Sequence, residues 1–328
     1  MRTRLALAAL SLPLAAGLIA ALIVYSGVRP EDIGRAIWSV PLWLFAAVIA
    51  LTAANQWLSV LRWRAANRWF QPDTHSMPAI QMFEATTWGA MIGQILPPQI
   101  SMTSARWIAT RQSSSVGVTL YEQLFDMVIL GAGGMAALAL LASSYSGGTA
   151  LAIFLAIIAL GCLSIRLVFA LGGHMSARYA QTGFFLHGLA GRLADPLKQA
   201  SQAPARVLIE LCVLTIIRVA LLGMRLIVIA LLFAPGLDAL GIAIGYPIVS
   251  LASAVPFLPG GLGLTEWAQT GLLIYAGAES TALAALIAIM VRLIVVAALA
   301  VLCVSLVPLS RVLNQTAASR TSEGSAPA

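Results

Sequence analysis

The sequence predicts an all-α polytopic membrane protein with six full transmembrane helices and two oppositely oriented re-entrant helical hairpins. Those eight hydrophobic segments have inverted-repeat character. Three observations carry this. The 328 residues are 60% hydrophobic and 9% charged, with a mean hydropathy of +0.93, whereas a soluble domain needs about 25% charged residues to coat its surface. Two of the long apolar runs are broken by proline and glycine. Charged residues fall near the centres of others.

The first apolar run, 5–27, follows Arg2 and Arg4. It is longer than the roughly 7–15 apolar residues of a secretory leader, so it is expected to remain as the first span. Further crossings are expected at 41–61, 115–142, 149–171, 207–233 and 281–307, each close to or above the ~20 residues that traverse a ~30 Å hydrocarbon core. The stretches 78–111 and 239–278 are interrupted, the first at Leu96-Pro97-Pro98 and the second at Phe257-Leu258-Pro259-Gly260-Gly261-Leu262-Gly263. Proline removes a backbone donor and glycine permits left-handed dihedrals. Non-helical backbone at membrane depth survives only when sheltered by protein or lining a wet cavity. Both stretches are therefore read as hairpins whose tips, Pro97 and Pro98 in one and Pro259, Gly260, Gly261 and Gly263 in the other, meet inside the membrane. Prolines that merely kink ordinary spans would instead give eight crossings and no repeat.

Placing the N-terminus inside puts thirteen basic residues, Arg62 and Arg106 among them, on the cytoplasmic side and only Arg29 and Arg35 outside, a strong positive-inside bias. Residues 1–313 then form a single integral membrane domain, with half-repeats around 78–142 and 239–307. Residues 314–328, poor in apolar side chains, are expected to be a disordered cytoplasmic tail. A bacterial cytoplasmic (inner) membrane with both termini inside is the expected location. The tryptophans at 38, 43, 57, 63, 69 and 107 fall at span ends and read as an interfacial belt. Arg166, Arg178 and Arg206 lie near cytoplasmic ends and are expected to snorkel.

The formal charge of +7 fits a membrane surface better than nucleic acid, and no nucleic-acid partner is expected. Cys162, Cys212 and Cys303 stand in apolar runs without paired spacing, and the three histidines show no metal-binding pattern. Nucleotide-binding loops and nucleophile elbows are absent from the sequence. No metal, cofactor or catalytic residue is assigned.

Eight charged residues remain within or beside apolar segments: Glu84, Arg106, Glu122, Asp126, Arg218, Arg225, Glu266 and Arg292. An unpaired charge at mid-span costs about 2.5–3.5 kcal/mol, so several together should face inward and pair, or line a wet cavity. Asp126, Arg218 and Arg292 are each twelfth in their spans and should lie near the midplane. Glu122 and Asp126, four apart, share a helix face. They need an arginine opposite, Arg292 or Arg218. Arg218 and Arg225, seven apart, make a basic stripe suited to an anion. The helix starting after Gly263 offers free N–H groups, a further anion site. The substrate-binding set is thus Arg106, Arg218, Arg225, Arg292, Glu122, Asp126 and Glu266. A network of ion pairs that merely fixes helix registry is the competing reading of the same residues.

The runs Gln94-Ile95-Leu96-Pro97-Pro98 with Arg106 following, Tyr121-Glu122-Gln123-Leu124-Phe125-Asp126, Pro259-Gly260-Gly261-Leu262-Gly263-Leu264-Thr265-Glu266 and Val291-Arg292-Leu293 together resemble the lysylphosphatidylglycerol synthase transmembrane (flippase-like) family. This is the membrane half of the multiple peptide resistance factor proteins. The resemblance covers essentially the whole chain and implies movement of an anionic, aminoacylated or polyprenyl-linked lipid between leaflets. The chain departs from the family pattern at Pro97-Pro98-Gln99-Ile100-Ser101-Met102-Thr103, which lacks the family's glycine and glutamate, and at Gln123, where the family carries a charge. About 20 residues follow the last expected span, so the soluble aminoacyl-transfer domain and its lysine-transfer activity are not carried over.

Three functions fit these residues. One is a lipid transporter whose polar cavity takes the headgroup while the tails stay in the bilayer. Another is a non-catalytic membrane partner of a separate lipid synthase or glycosyltransferase. The third is an intramembrane lipid transferase using Glu122 and Asp126 as acid and base. A membrane lipid is the expected substrate in the first, and a separate lipid-modifying enzyme the expected partner in the second.

Overall fold

The structure, a computed structural model, describes residues 2–70, 77–111, 114–141, 147–180, 198, 201–253 and 258–323. Among them are eleven α-helices and one 3-10 turn with described bounds. Long helices are α1 (Arg2–Ser26), α3 (Leu42–Phe70), α6 (Ser114–Leu141), α7 (Gly147–Ala180), α8 (Ala205–Phe233) and α11 (Thr281–Glu323). Short ones are α2 (Pro30–Ser39), α4 (Ala79–Ile92), α5 (Pro98–Thr110), α9 (Ala239–Ser253) and α10 (Leu264–Tyr275).

Five of the long helices are apolar and long enough to cross a membrane. A sixth crossing follows if Pro13–Ser26 and α2, bent by 94° at the break, count as one span. The bend has local causes. Gly27 takes φ 73°, Pro30 begins α2, and Asp32 accepts the Arg29 backbone N–H at 3.2 Å, a capping bond that starts the new helix. Of the apolar stretch of α7, only 6% is covered by protein, leaving Leu151, Leu155, Leu160, Leu163, Leu167 and Leu171 exposed. In water such a surface would aggregate; in a bilayer, acyl chains cover it.

The two interrupted stretches fold back on themselves. Gly89 lies against Met102 and Ala105, and Gly93 against Ser101, so α4 and α5 run antiparallel. In the second, Asp238 donates its N–H to the Ala276 carbonyl at 2.9 Å, Gly245 meets Leu272, and Gly261 meets Ser253, so α9 and α10 pair the same way. At 1.5 Å per residue these helices are about 18–23 Å long, short of a ~30 Å core. Pro97 caps α5 and Pro98 is its first residue, where a missing N–H costs nothing. At the second tip Gly260, Gly261 and Gly263 all have positive φ, 53°, 66° and 86°, which side chains other than glycine's resist. Each hairpin is followed by a long helix, α6 or α11.

Two apolar cores hold this together. One gathers Leu44, Leu226, Ile229, Ile242, Leu273, Ile287 and Ala298 from α3, α8, α9, α10 and α11. The other gathers Trp63, Met82, Tyr121, Phe125, Phe169 and Leu211 from α3, α4, α6, α7 and α8. Helix α3 contributes to both and spans the space between. Helix α1 docks on the second hairpin, where the Trp267 indole donates to the Leu18 carbonyl at 3.0 Å.

Two expectations are corrected. Arg62 does not lie beyond the end of its span, and like Arg106 it sits inside the helix bundle. Both are buried, at 1% and 2% exposure, because each finds a carboxylate inside the helix bundle. Trp63 is not interfacial. It is fully buried, with the Arg106 guanidinium 4.7 Å above its ring, whereas Trp38, Trp43, Trp57 and Trp107 are exposed. Helix α11 runs as far as Glu323; of the expected tail, 324–328 lie outside the described residues.

Candidate functional site

A cavity of about 290 Å³ lies where α3, α6, α8 and α11 face the two hairpin tips. Asp126, Arg218, Arg225, Glu266 and Arg292 line it, together with Asn55, Gln56, Gln94, Tyr246 and Gln269. Five of the seven substrate-binding residues expected from sequence therefore converge on one polar chamber.

Its first charged node is centred on Asp126 of α6. Arg62 of α3 approaches both carboxylate oxygens, at 2.7 and 3.1 Å, and Arg218 of α8 donates to Oδ2 at 2.9 Å. Arg62 also donates to the Glu122 backbone carbonyl, and Arg218 Nε to Asn55 Oδ1 at 3.2 Å. Three long helices are thus tied through a single carboxylate. One turn away, Glu122 accepts from Arg106 of α5 at 3.0 Å, and both side chains are buried. The two carboxylates share a helix face, as the i, i+4 spacing requires, yet engage different arginines. Arg106 and Glu122 lie outside the cavity lining and brace the first hairpin against α6.

The second node is centred on Arg292 of α11. Its Nε donates to Glu266 Oε1 at 2.5 Å, its Nη1 to Gln94 Oε1 at 2.8 Å and its Nη2 to the Gly260 carbonyl at 3.0 Å. One guanidinium therefore joins the tip of the first hairpin to that of the second. The tips also touch directly: a Cβ added to Gly260 would stand 3.0 Å from the Gly93 carbonyl. Glu266 Oε2 accepts the Gly263 N–H at 2.6 Å, which corrects the expectation of a free anion site there. The helix start supplies its own carboxylate.

Arg225 differs from the rest. Among the described residues it forms no ion pair; like Arg62 and Arg106, it has an Nε buried without a hydrogen-bond partner. It lies beside Tyr246, a second lining residue. Glu84 stands apart near Cys303 and does not line the cavity. Of the tip residues, Pro98 and Gly260 line it; Pro97, Gly261 and Gly263 shape the turns behind.

The sequence-based span ends at 61 and so leaves Arg62 out, whereas the helix runs to Phe70. A signal was present: Thr52, Asn55, Gln56, Ser59 and Arg62 recur at helical spacing and are all buried, a polar stripe on one face of α3. Gln94 and Tyr246 were not singled out as ligands, since a lone amide or phenol has no distinctive spacing.

The family model of the lysylphosphatidylglycerol synthase TM region matches residues 5–303. The chain belongs to this family. The match takes in α1, both hairpins, both charged nodes and α11 as far as Cys303. No curated protein and no solved structure matches the chain. Membership makes this a lipid-related, multi-pass membrane protein.

Proposed function

We propose that the protein moves an anionic, aminoacylated or polyprenyl-linked lipid between leaflets, its headgroup passing through the arginine-lined cavity while its tails remain in the bilayer. The observation that carries this reading is the meeting of both hairpin tips with Asp126, Arg218, Arg225, Glu266 and Arg292 around one polar chamber. Burying so many ionised groups is costly unless they pair or meet a polar substrate. Interrupted segments in corresponding positions of two halves are the pattern of a secondary transporter's binding site. In this proposal the halves, 78–142 and 239–307, are related by inversion, the hairpins enter from opposite faces, and both termini lie in the cytoplasm of a bacterial inner membrane. Separation of the tips, held shut by Arg292, alternates access. Energy comes from the lipid gradient, a coupled ion or a partner enzyme.

Purified protein in liposomes carrying a fluorescent phosphatidylglycerol in the inner leaflet should speed its exposure to external dithionite. Arg292→Ala should abolish the acceleration while the protein still elutes as a single species. No acceleration with any of several headgroups would overturn transport and favour a membrane partner of a separate lipid-modifying enzyme. In a companion test, single cysteines at 99–103 should label from the cytoplasm and those at 260–264 from outside. Labelling of both tips from one side would remove the inverted arrangement.

A further inference from the structure

We infer that the cavity selects a lipid phosphomonoester or diphosphate, rather than the aminoacylated or singly charged phosphodiester lipids that the proposed transport would also allow. The inference rests on that reading of the cavity as the headgroup site.

Charge is the first ground. Around the chamber, Arg62, Arg106, Arg218, Arg225 and Arg292 face three carboxylates. Glu122 is matched by Arg106 and Glu266 by Arg292. Asp126 is shared by Arg62 and Arg218, and Arg225 has no ion pair among the described residues. Two positive charges are left over, one at the Asp126 node and one at Arg225, and both Arg218 and Arg225 line the cavity. A phosphomonoester carries about −1.5 to −2 at pH 7 and balances that excess. A phosphodiester supplies one negative charge, and a lysyl ester of it bears a net positive headgroup that would add to the excess.

The second ground is the shortage of free carboxylates. A buried ammonium group is best compensated by a carboxylate with a free lone pair facing the cavity. Asp126 is already clamped between two guanidiniums. Glu266 is spent on Arg292 and on the Gly263 N–H. The unpartnered Glu122 Oε1 is buried in a residue outside the lining. A donor is free, by contrast. The Arg225 Nε is buried without a hydrogen-bond partner, and Gln56, Gln269 and Tyr246, which can donate as well as accept, line the same cavity. Planar guanidinium forks suit the terminal oxygens of a phosphate.

The test is competition against fluorescent short-chain phosphatidic acid on the full-length protein in detergent, read by anisotropy. Farnesyl phosphate and dioleoyl phosphatidic acid should displace the probe at concentrations about tenfold lower than phosphatidylglycerol, with lysylphosphatidylglycerol weakest. Inorganic phosphate should compete only at far higher concentration; competition equal to the lipids would make this a free-phosphate site and overturn the lipid assignment. Phosphatidylglycerol or its lysyl ester competing as well as the monoesters would overturn the charge argument. Arg225→Met should weaken farnesyl phosphate about tenfold and Arg225→Lys, which keeps the charge, by no more than about threefold. Equal affinity in the wild type and both variants would also overturn it. Since this assay reads binding alone, dithionite-detected transport of phosphatidylglycerol with no monoester preference would sink the inference and leave transport standing. Monoester selectivity without transport would do the reverse.

Discussion

The two charged nodes solve the same problem in opposite ways. At Asp126 one carboxylate serves two arginines, and everything it joins, α3, α6 and α8, is a long helix held in an apolar core. At Arg292 one arginine serves a carboxylate, an amide and a backbone carbonyl, and two of those three groups belong to the hairpin tips. The first node has an excess of donors and only one acidic group to hold them, so it locks the scaffold. The second closes a gap between two short elements by bonds to neutral groups, each of which is cheap to break. A fixed frame and a releasable latch therefore stand within one chamber, and loss of charge should have different consequences at each.

The largest effect is expected at the frame. Asp126→Asn removes the negative charge shared by Arg62 and Arg218 and one of its two acceptor oxygens, leaving both guanidiniums, the fully buried Arg62 among them, without a counter-charge. Removing one partner of a buried ion pair costs about 3–5 kcal/mol. Equilibrium unfolding in mixed micelles should register that loss. A cost below about 1 kcal/mol would show that the arginines find water or another partner and that the node is not a lock.

Smaller and different in kind is the expected effect at the latch. Gln94→Leu removes one neutral acceptor from Arg292 Nη1, worth about 1.5–3 kcal/mol because the donor is charged. The rest of the node, Glu266 included, stays in place. Stability should fall modestly, while a cysteine placed at Gln99 should react faster with a membrane-impermeant maleimide as the tips part. If stability drops as far as in Asp126→Asn, with no change in labelling, the contrast between frame and latch disappears.

How far these nodes could be read in advance follows the same division. Asp126 and Arg218 were legible from position alone: each is twelfth in an apolar run, and hydrocarbon forces two opposite mid-span charges together. The hairpins were legible from Pro97-Pro98 and from the glycine run at 260–263, because those residues break helices whatever surrounds them. Arg62 was not, since composition placed it just beyond a span that continues to Phe70. Partner choice was not legible either. Arg292 and Arg218 were equally good opposites for Asp126, and only packing sends Arg292 to Glu266. That no carboxylate among the described residues pairs with Arg225, which lies beside Tyr246 instead, is a property of packing that no local pattern records.

The finest probe of the comparison is Gly260, where latch and backbone conformation coincide. Its φ of 53° costs a residue with a Cβ roughly 1–2 kcal/mol, and that Cβ would press on the Gly93 carbonyl at 3.0 Å and on Arg292 Nη1 at 3.1 Å. Alanine here should lower stability by about 1–2 kcal/mol, the smallest change of the series, yet act on the contact where the two tips touch. If the tips must close for each transport cycle, Gly260→Ala should slow dithionite-detected lipid exposure more than its stability loss accounts for. Gly236→Ala is the control, since its added Cβ meets nothing within 4 Å and it stands between α8 and α9, away from the chamber. Equal slowing in both would mean that the close approach of Gly260 to Gly93 is a packing detail and that the latch lies elsewhere.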